Sequence, residues 1–303
     1  MYYYSEWAEI LFGVSQGSTL GPLLFNIFIC DLFLFFVDTE FASYADDNTP
    51  FAIGNSIDNV ISNIKGASDN FFNWLEQNAM KGNSDKCHLL VSTKNKITTT
   101  IAGSSISNSE SKKLLGVIID ANLNFSEHVS NLCKKTNQKI GALARVSPFM
   151  SIEKRRVIMK AFVCSQFSYC PLVWMNHNRA LNSRINRLHE RALRIVYQDK
   201  KSDFQDLLNK DNSLTIHHRN IQSLAIELFK VKNGIAPELM RKLFPLEEPA
   251  YNLRNKNVFK GRNVRTVHYG TETLRYLSTK IWKIVPTHIQ ELTSLQEFKI
   301  KIR

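Results

Sequence analysis

Phe41-Ala42-Ser43-Tyr44-Ala45-Asp46-Asp47-Asn48-Thr49-Pro50-Phe51-Ala52-Ile53 holds two short apolar runs, Phe41 to Ala45 and Thr49 to Ile53, around an acidic centre. The pattern predicts a tight β-hairpin with Asp46-Asp47-Asn48 between its strands. Upstream, Gly13-Val14-Ser15-Gln16-Gly17-Ser18-Thr19-Leu20-Gly21-Pro22 is a loop rich in turn formers that runs into an apolar helix. Ser18 or Thr19 can cap that helix, and Pro22 falls in its first turn, where no amide hydrogen is needed. Downstream, Ser56 caps a second helix with apolar positions at Ile57, Val60, Ile61, Ile64, Phe71, Trp74 and Leu75. Further strands are predicted at Cys87 to Ser92, Ile97 to Ile101 and Leu114 to Asp120. Residues 1–125 therefore read as α+β, with helices packed on a small, mostly antiparallel sheet.

After Ser126 the periodicity becomes helical. Helices are predicted over 126–147, 151–170, 178–198, 215–233 and 271–285, the fourth with Thr215 as N-cap and Gly234 just past its end. Residues 243–270 hold prolines, asparagines and basic residues without period and read as a long irregular connection. The expected division is 1–125, then a basic helical segment 126–200, then a helical region 201–303, with the first boundary near 121–126.

The chain has 303 residues, 44% hydrophobic and 22% charged, which excludes a disordered protein. Its five cysteines, Cys30, Cys87, Cys133, Cys164 and Cys170, are odd in number and scattered, so a reducing, intracellular setting is expected. No apolar signal segment follows Met1. The apolar stretch Leu23 to Val37 carries Asn26 and Asp31 and is only 15 residues long. A membrane span needs ~20 residues, so a buried core helix plus a strand is expected there. Net charge is +12 and unevenly placed: residues 1–125 carry 7 Lys and no Arg against 13 acids, and residues 126–303 carry 32 Lys and Arg against 14. An acidic front suits cations and a basic back suits a polyanion; an inert basic surface is the alternative.

Two adjacent carboxylates at a hairpin tip repel one another, and a divalent cation relieves that repulsion. Magnesium prefers such hard oxygen ligands and shares them with substrate phosphates. A solvated acidic turn is the competing reading. In order along the chain stand residues 13–26, beginning Gly13-Val14-Ser15-Gln16-Gly17-Ser18, then Tyr44-Ala45-Asp46-Asp47, then Lys81-Gly82-Asn83-Ser84-Asp85-Lys86-Cys87. Leu114-Leu115-Gly116-Val117 follows, with Asp120, Leu123, Phe125 and His128. Gln166 to Leu172 and Arg187-Leu188-His189-Glu190-Arg191-Ala192 complete the set. With these motifs the chain resembles, over essentially its whole length, the reverse transcriptases (RNA-directed DNA polymerases) of non-LTR, LINE- or jockey-type retrotransposons.

The resemblance implies a partial polymerase palm followed by a helical, thumb-like region. It implies nucleotidyl transfer with two metal ions, Mg2+ or Mn2+, on an RNA template with a DNA primer and dNTP. On the matching positions, Asp46 and Asp47 are catalytic and metal-binding. Gln16, Gly17 and Ser18 lie against template and incoming nucleotide. Tyr44 stands beside the primer end, or alternatively faces the core as a strand aromatic. Lys86 serves as general acid for the leaving pyrophosphate. Ser15 stands where the family usually has proline, which loosens the loop without removing a reacting group.

The family's first metal-binding aspartate and its fingers come before the Gln16-Gly17-Ser18 loop, and only 15 residues precede Gln16 here. Glu6 and Glu9 are the acids among them, and Asp31 and Asp38 lie in positions that do not substitute. The expectation is an incomplete fragment, inactive as a polymerase alone, unless an upstream part is supplied in trans. The alternative is a non-catalytic RNA- or DNA-binding remnant or domesticated protein. Either way the expected location is intracellular, nuclear for an intact enzyme, with the cytoplasm as the alternative.

Within 179–196, Leu181, Ile185, Leu188, Ala192 and Ile195 form an apolar stripe. Arg184, Arg187, Arg191 and Arg194 form a second stripe beside it, with Glu190 as counter-charge. Planar guanidinium groups in a row suit a phosphate backbone; a solvated, salt-bridged helix is the alternative. Lys154, Arg155, Arg156 and Lys160 would widen the patch. Cys164, Cys170, His177 and His189 lack zinc spacing, and buried free cysteines are expected instead. His217 and His218 read as helix N-terminal surface.

Overall fold

A computed structural model describes residues 13–14, 17–36, 39–93, 97–175, 179–247, 258–261 and 263–302. The chain divides into two compact units, Met1–Lys112 and Lys113–Arg303. The division falls ahead of the boundary read near 121–126, because the last hairpin belongs with the helices. There the Ile118 amide donates to His128 Nδ1 at 3.3 Å and ties strand to helix.

In the first unit, β1 (Glu40–Tyr44) pairs antiparallel with β2 (Asp47–Phe51). Tyr44 faces Asp47, so the turn is Ala45-Asp46 and Asp47 opens β2 rather than sitting in the turn as expected. Ala45 takes a left-handed φ of +53°, a conformation that costs a non-glycine residue roughly 1 kcal/mol. Pro50 lies opposite Phe41. A proline without an amide hydrogen is tolerated here because both strands of the ribbon are edges.

α1 (Gly21–Ile29) carries proline in its first turn and continues into a 3-10 turn, Cys30–Phe35. This corrects the expected buried helix plus strand. Gly21, Ile29 and Leu32 are buried, whereas Leu20 (62% exposed), Leu23, Leu24 and Ile27 (61%) face outward. α2 (Ile57–Gln77) starts as predicted, with Ser56 Oγ accepting from the Asn59 amide at 3.2 Å. Its Trp74 and Leu75 join Ile29 and Leu32 in a small core ringed by Phe25, Phe35, Phe36 and Phe41. Trp74 Nε1 donates to Asp31 Oδ1 at 3.1 Å. The Phe36 and Phe41 rings stack at 4.0 Å and anchor β1 on this core.

β3 (Thr98–Ile101) and β4 (Ser104–Ser107) form a second ribbon, its tip Ala102-Gly103 at φ +48° and +78°. Cys87 to Ser92 is not a strand; Leu89 makes one isolated bridge to Asn108. Among the described residues the strands thus make three separate two-stranded ribbons in place of the one small sheet expected.

β5 (Ser111–Leu114), which spans the border, and β6 (Val117–Asp120) form the third ribbon. There follow α3 (Ser126–Val146), α4 (Ile152–Ile158), α5 (Pro171–Trp174), α6 (Arg179–Tyr197), α7 (Phe204–Asp211) and α8 (Ile216–Lys232). After them come α9 (Glu238–Leu243), α10 (Leu274–Ile284), α11 (Thr287–Gln290) and α12 (Leu295–Lys301). The helix predicted over 151–170 is regular only to Ile158, then widens into a π turn, Met159–Val163, and tightens into a 3-10 turn, Cys164–Phe167. Thr215 caps α8 as predicted, accepting from the His218 amide at 3.2 Å, and Gly234 follows its end at φ +70°.

The segment read as an irregular connection over 243–270 is pinned where it is described. Phe244 and Phe259 are buried with Leu228, Phe229, Trp282 and Phe298, Leu246 bridges Phe259, and Val267–Thr271 forms a π turn. Among the described residues no helix is long and apolar enough to cross a membrane.

Candidate catalytic hairpin and nucleic-acid surface

Asp46 and Asp47 stand exposed at the β1–β2 tip, and Asn48 Nδ2 donates to the Asp46 carbonyl at 3.3 Å. Among the described residues no ion pair involves Asp46 or Asp47. Tyr44, at 68% exposed, is not a core aromatic. Among the described residues no group of three His, Cys, Asp or Glu side chains could hold a metal ion. Asp31 is committed to Trp74. Asp38, Glu6 and Glu9 lie outside the described residues. The pair still fits magnesium, which binds through one or two carboxylates when substrate phosphates complete its shell.

The loop before α1 is described at Gly17 and Ser18, while Gln16 lies outside the described residues. Gly17 takes φ +81° with open space where a Cβ would stand, so the backbone can approach a ligand closely. Ser18 Oγ accepts from the Gly21 amide at 2.9 Å and so holds the entry of α1. Lys86 is exposed at the end of a short 3-10 turn, Ser84–Lys86, capped by Asn83. The structure gives it no ion pair with Asp46 or Asp47.

The segment from Leu114 to His128 has a structural task. The β5–β6 tip, Leu115-Gly116, takes φ +45° and +89°, and Tyr169 OH donates to the Leu115 carbonyl at 2.5 Å. Asp120 Oδ1 accepts from the Asn122 and Asn124 amides, and Oδ2 accepts from Phe125 at 2.7 Å. That carboxylate organises the turn into α3, where Leu123 and Phe125 both take left-handed φ.

On α6, Arg184, Arg187 and Arg191 are exposed, and Arg191 donates to Asn137 Oδ1 of α3 at 2.7 Å. Arg194 leaves the row: it pairs with Glu190 at 2.7 Å and reaches the Asp199 carbonyl. The buried face runs through Ile185, His189, Ala192, Leu193 and Val196, while Leu181, Leu188 and Ile195 are only partly buried. It is therefore rotated about one residue from the stripe read in the sequence. His189 is 1% exposed, its two ring nitrogens have no hydrogen-bond partner, and it meets the Phe204 ring edge-on at 5.7 Å. Burial, reinforced by the Arg219 charge and opposed by Asp211, pushes its pKa down to about 4.

Asp211 is fully buried and accepts from Arg156 Nε at 2.7 Å and from Tyr197 OH at 3.0 Å. That hydrogen bond raises the Arg156 pKa, and burial raises that of Tyr197. No local pattern marks this network, because its members are 55 and 14 positions apart. It removes Arg156 from the outward basic patch, and Arg155 is buried; Lys154 and Lys160 remain exposed. Cys164 is buried as expected, but Cys170 is exposed, and His177 lies outside the described residues.

The family model "Reverse transcriptase (RNA-dependent DNA polymerase)" matches residues 5–119. The chain is 29% identical over 153 residues to the RNA-directed DNA polymerase from mobile element jockey of Drosophila melanogaster, covering 47% of this chain and 17% of that protein. It is 29% identical over 198 residues to the jockey polymerase of Drosophila funebris, covering 61% of this chain and 22% of that protein. It is 26% identical over 200 residues to the probable RNA-directed DNA polymerase from transposon BS of Drosophila melanogaster. The chain thus spans about a fifth of the length of these relatives, and no solved structure matches it. The exposed aspartate pair on a hairpin after a glycine-containing loop lies inside residues 5–119, the segment that is similar to reverse transcriptases, and the relatives that this chain resembles are polymerases of Drosophila mobile elements.

Proposed function

We propose that this chain carries one part of an RNA-directed DNA polymerase site, the hairpin that holds metal and nucleotide, together with a helical surface for the template–primer. The observation that carries the reading is the exposed Asp46-Asp47 pair at the β1–β2 tip. Mg2+ or Mn2+, when bound, would neutralise charge on the phosphoryl group in transfer. Asp46 and Asp47 supply two hard oxygen ligands. Gly17 and Ser18, with Gln16, lie along template and incoming nucleotide. Tyr44 offers an exposed ring beside the primer end. Lys86 donates a proton to the leaving pyrophosphate. Arg184, Arg187 and Arg191 hold the backbone of the template–primer.

In this reading Asp46 and Asp47 act with a further carboxylate, and the 303-residue chain does not polymerise without it. A further polymerase segment completes the site, in trans if not in the same chain. The exposed Arg184, Arg187 and Arg191 on α6 favour, as the second reading, a protein that binds RNA or DNA without catalysis. Manganese titration followed by electron paramagnetic resonance tests the metal claim. Binding strengthened by dNTP and lost in Asp46→Asn/Asp47→Asn is the expected result; equal binding by the variant refutes it.

A further inference from the structure

The turn that carries the aspartate pair is not one that its own residues favour. Tyr44 stands opposite Asp47, so Ala45 and Asp46 alone join β1 to β2. Ala45 takes φ +53°, and Asp46 is not among the residues of positive φ. A two-residue hairpin loop with positive φ at its first position only has glycine there as its usual residue, because glycine has no Cβ to meet the backbone. Alanine is strained in that conformation, and the loop relaxes away from it unless something outside the loop holds it.

Asn48 supplies that hold. It is the second residue of β2, opposite Ser43, and its side chain reaches back to the turn, where Nδ2 donates to the Asp46 carbonyl at 3.3 Å. Its Oδ1 is shut off from water and has no hydrogen-bond partner among the described residues. The side chain is thus turned toward the tip with its own acceptor left unmet, and turning the amide over would set oxygen against the Asp46 carbonyl oxygen. The carbonyl it holds belongs to the peptide that joins Asp46 to Asp47. That peptide is planar, so its orientation sets how the Cα–Cβ bonds of the two aspartates diverge. In a regular strand neighbouring side chains point to opposite faces. Here the first of the two sits in the turn, and the set of the peptide decides whether both carboxylates reach one ion. Magnesium tolerates little departure from octahedral geometry, so that setting matters.

We propose that Asn48 is the positioning residue of the aspartate pair: its amide holds the strained Ala45-Asp46 turn in the shape that presents both carboxylates to a divalent cation. This rests on Asp46 and Asp47 being metal ligands. Asn48 itself touches neither metal nor substrate; it acts through the Asp46 peptide.

Mn2+ titration of the whole chain in the presence of dNTP, followed by electron paramagnetic resonance, tests this. Asn48→Leu keeps the bulk and removes the donor, and Asn48→Ala removes both. Each should weaken Mn2+ by about 10-fold, the usual effect of losing a partner that orients a metal ligand. Ala45→Gly removes the strain, so in that background Asn48→Leu should weaken Mn2+ by less than about 2-fold. A general loosening of the ribbon would not depend on residue 45 in this way. Thermal unfolding followed by circular dichroism checks that each variant folds. Wild-type affinity in Asn48→Leu overturns the proposal and leaves the metal reading standing. A loss confined to Asn48→Ala, which would mark packing, does the same, as does an equal loss in both backgrounds. No Mn2+ binding by the wild type, or binding unchanged in Asp46→Asn/Asp47→Asn, overturns the proposal together with the metal reading.

Discussion

Acidification should destabilise the helical unit through one side chain. His189 is enclosed by α6, α7 and α8, against the Phe204 ring and under the influence of the Arg219 and Asp211 charges. An unfolded histidine takes up a proton near pH 6.5, whereas the folded one waits until about 4. Between those values the unfolded chain binds more protons, so stability falls as pH falls. The full contribution is present above about pH 6.5. The loss reaches about 2 kcal/mol at pH 5 and about 3 kcal/mol at pH 4. With an m-value of about 2 kcal/mol per molar, the urea midpoint at pH 5 drops by roughly 1 M relative to pH 7. His189→Leu keeps an apolar side chain in that pocket and abolishes this part of the dependence. Urea unfolding of both proteins, followed by tryptophan fluorescence at pH 7, 6, 5 and 4, measures it. Parallel midpoint curves for the two proteins would refute the assignment of His189 as a buried neutral group.

Other consequences are as direct. Asp211→Ala leaves Arg156, which can still meet water, and Tyr197 without their acceptor and should cost about 1–3 kcal/mol in chemical denaturation. Gly116→Ala puts a Cβ into a left-handed turn, 3.3 Å from the Tyr169 ring; a loss of about 1–2 kcal/mol is expected in thermal unfolding. Arg184→Ala/Arg187→Ala/Arg191→Ala should flatten the salt dependence of template–primer binding by about 2.7 in log–log slope. Arg194→Ala should leave that slope nearly unchanged, because Glu190 already neutralises Arg194.

The parts legible in the sequence are those set by local chemistry. Ser56 and Thr215 cap their helices where hydroxyl and periodicity coincide, and the β1–β2 hairpin follows from two apolar runs around a turn. What escaped depends on contacts far apart in the chain. Leu23, Leu24 and Ile27 look like core residues but face outward, because side-chain type does not say whether a partner surface exists. The π turn at Met159–Val163 has no composition signal. α7, α9, α11 and α12 are too short for periodicity to announce them. The arginine row was readable by spacing, but the loss of Arg194 to Glu190, and the one-residue rotation that buries His189, required packing.

Primer extension tests the central claim most directly, using an RNA template, a DNA primer, dNTP and Mg2+. The purified chain is assayed alone and then with a polypeptide supplying the upstream polymerase segment of a jockey-type relative, with Asp46→Ala beside each. No extension is expected from the chain alone, and complementation should give extension that Asp46→Ala abolishes. Extension by the chain alone that depends on Asp46 would show that its own residues complete the metal site. Complemented extension that survives Asp46→Ala would contradict the assignment of the hairpin as the metal-binding element.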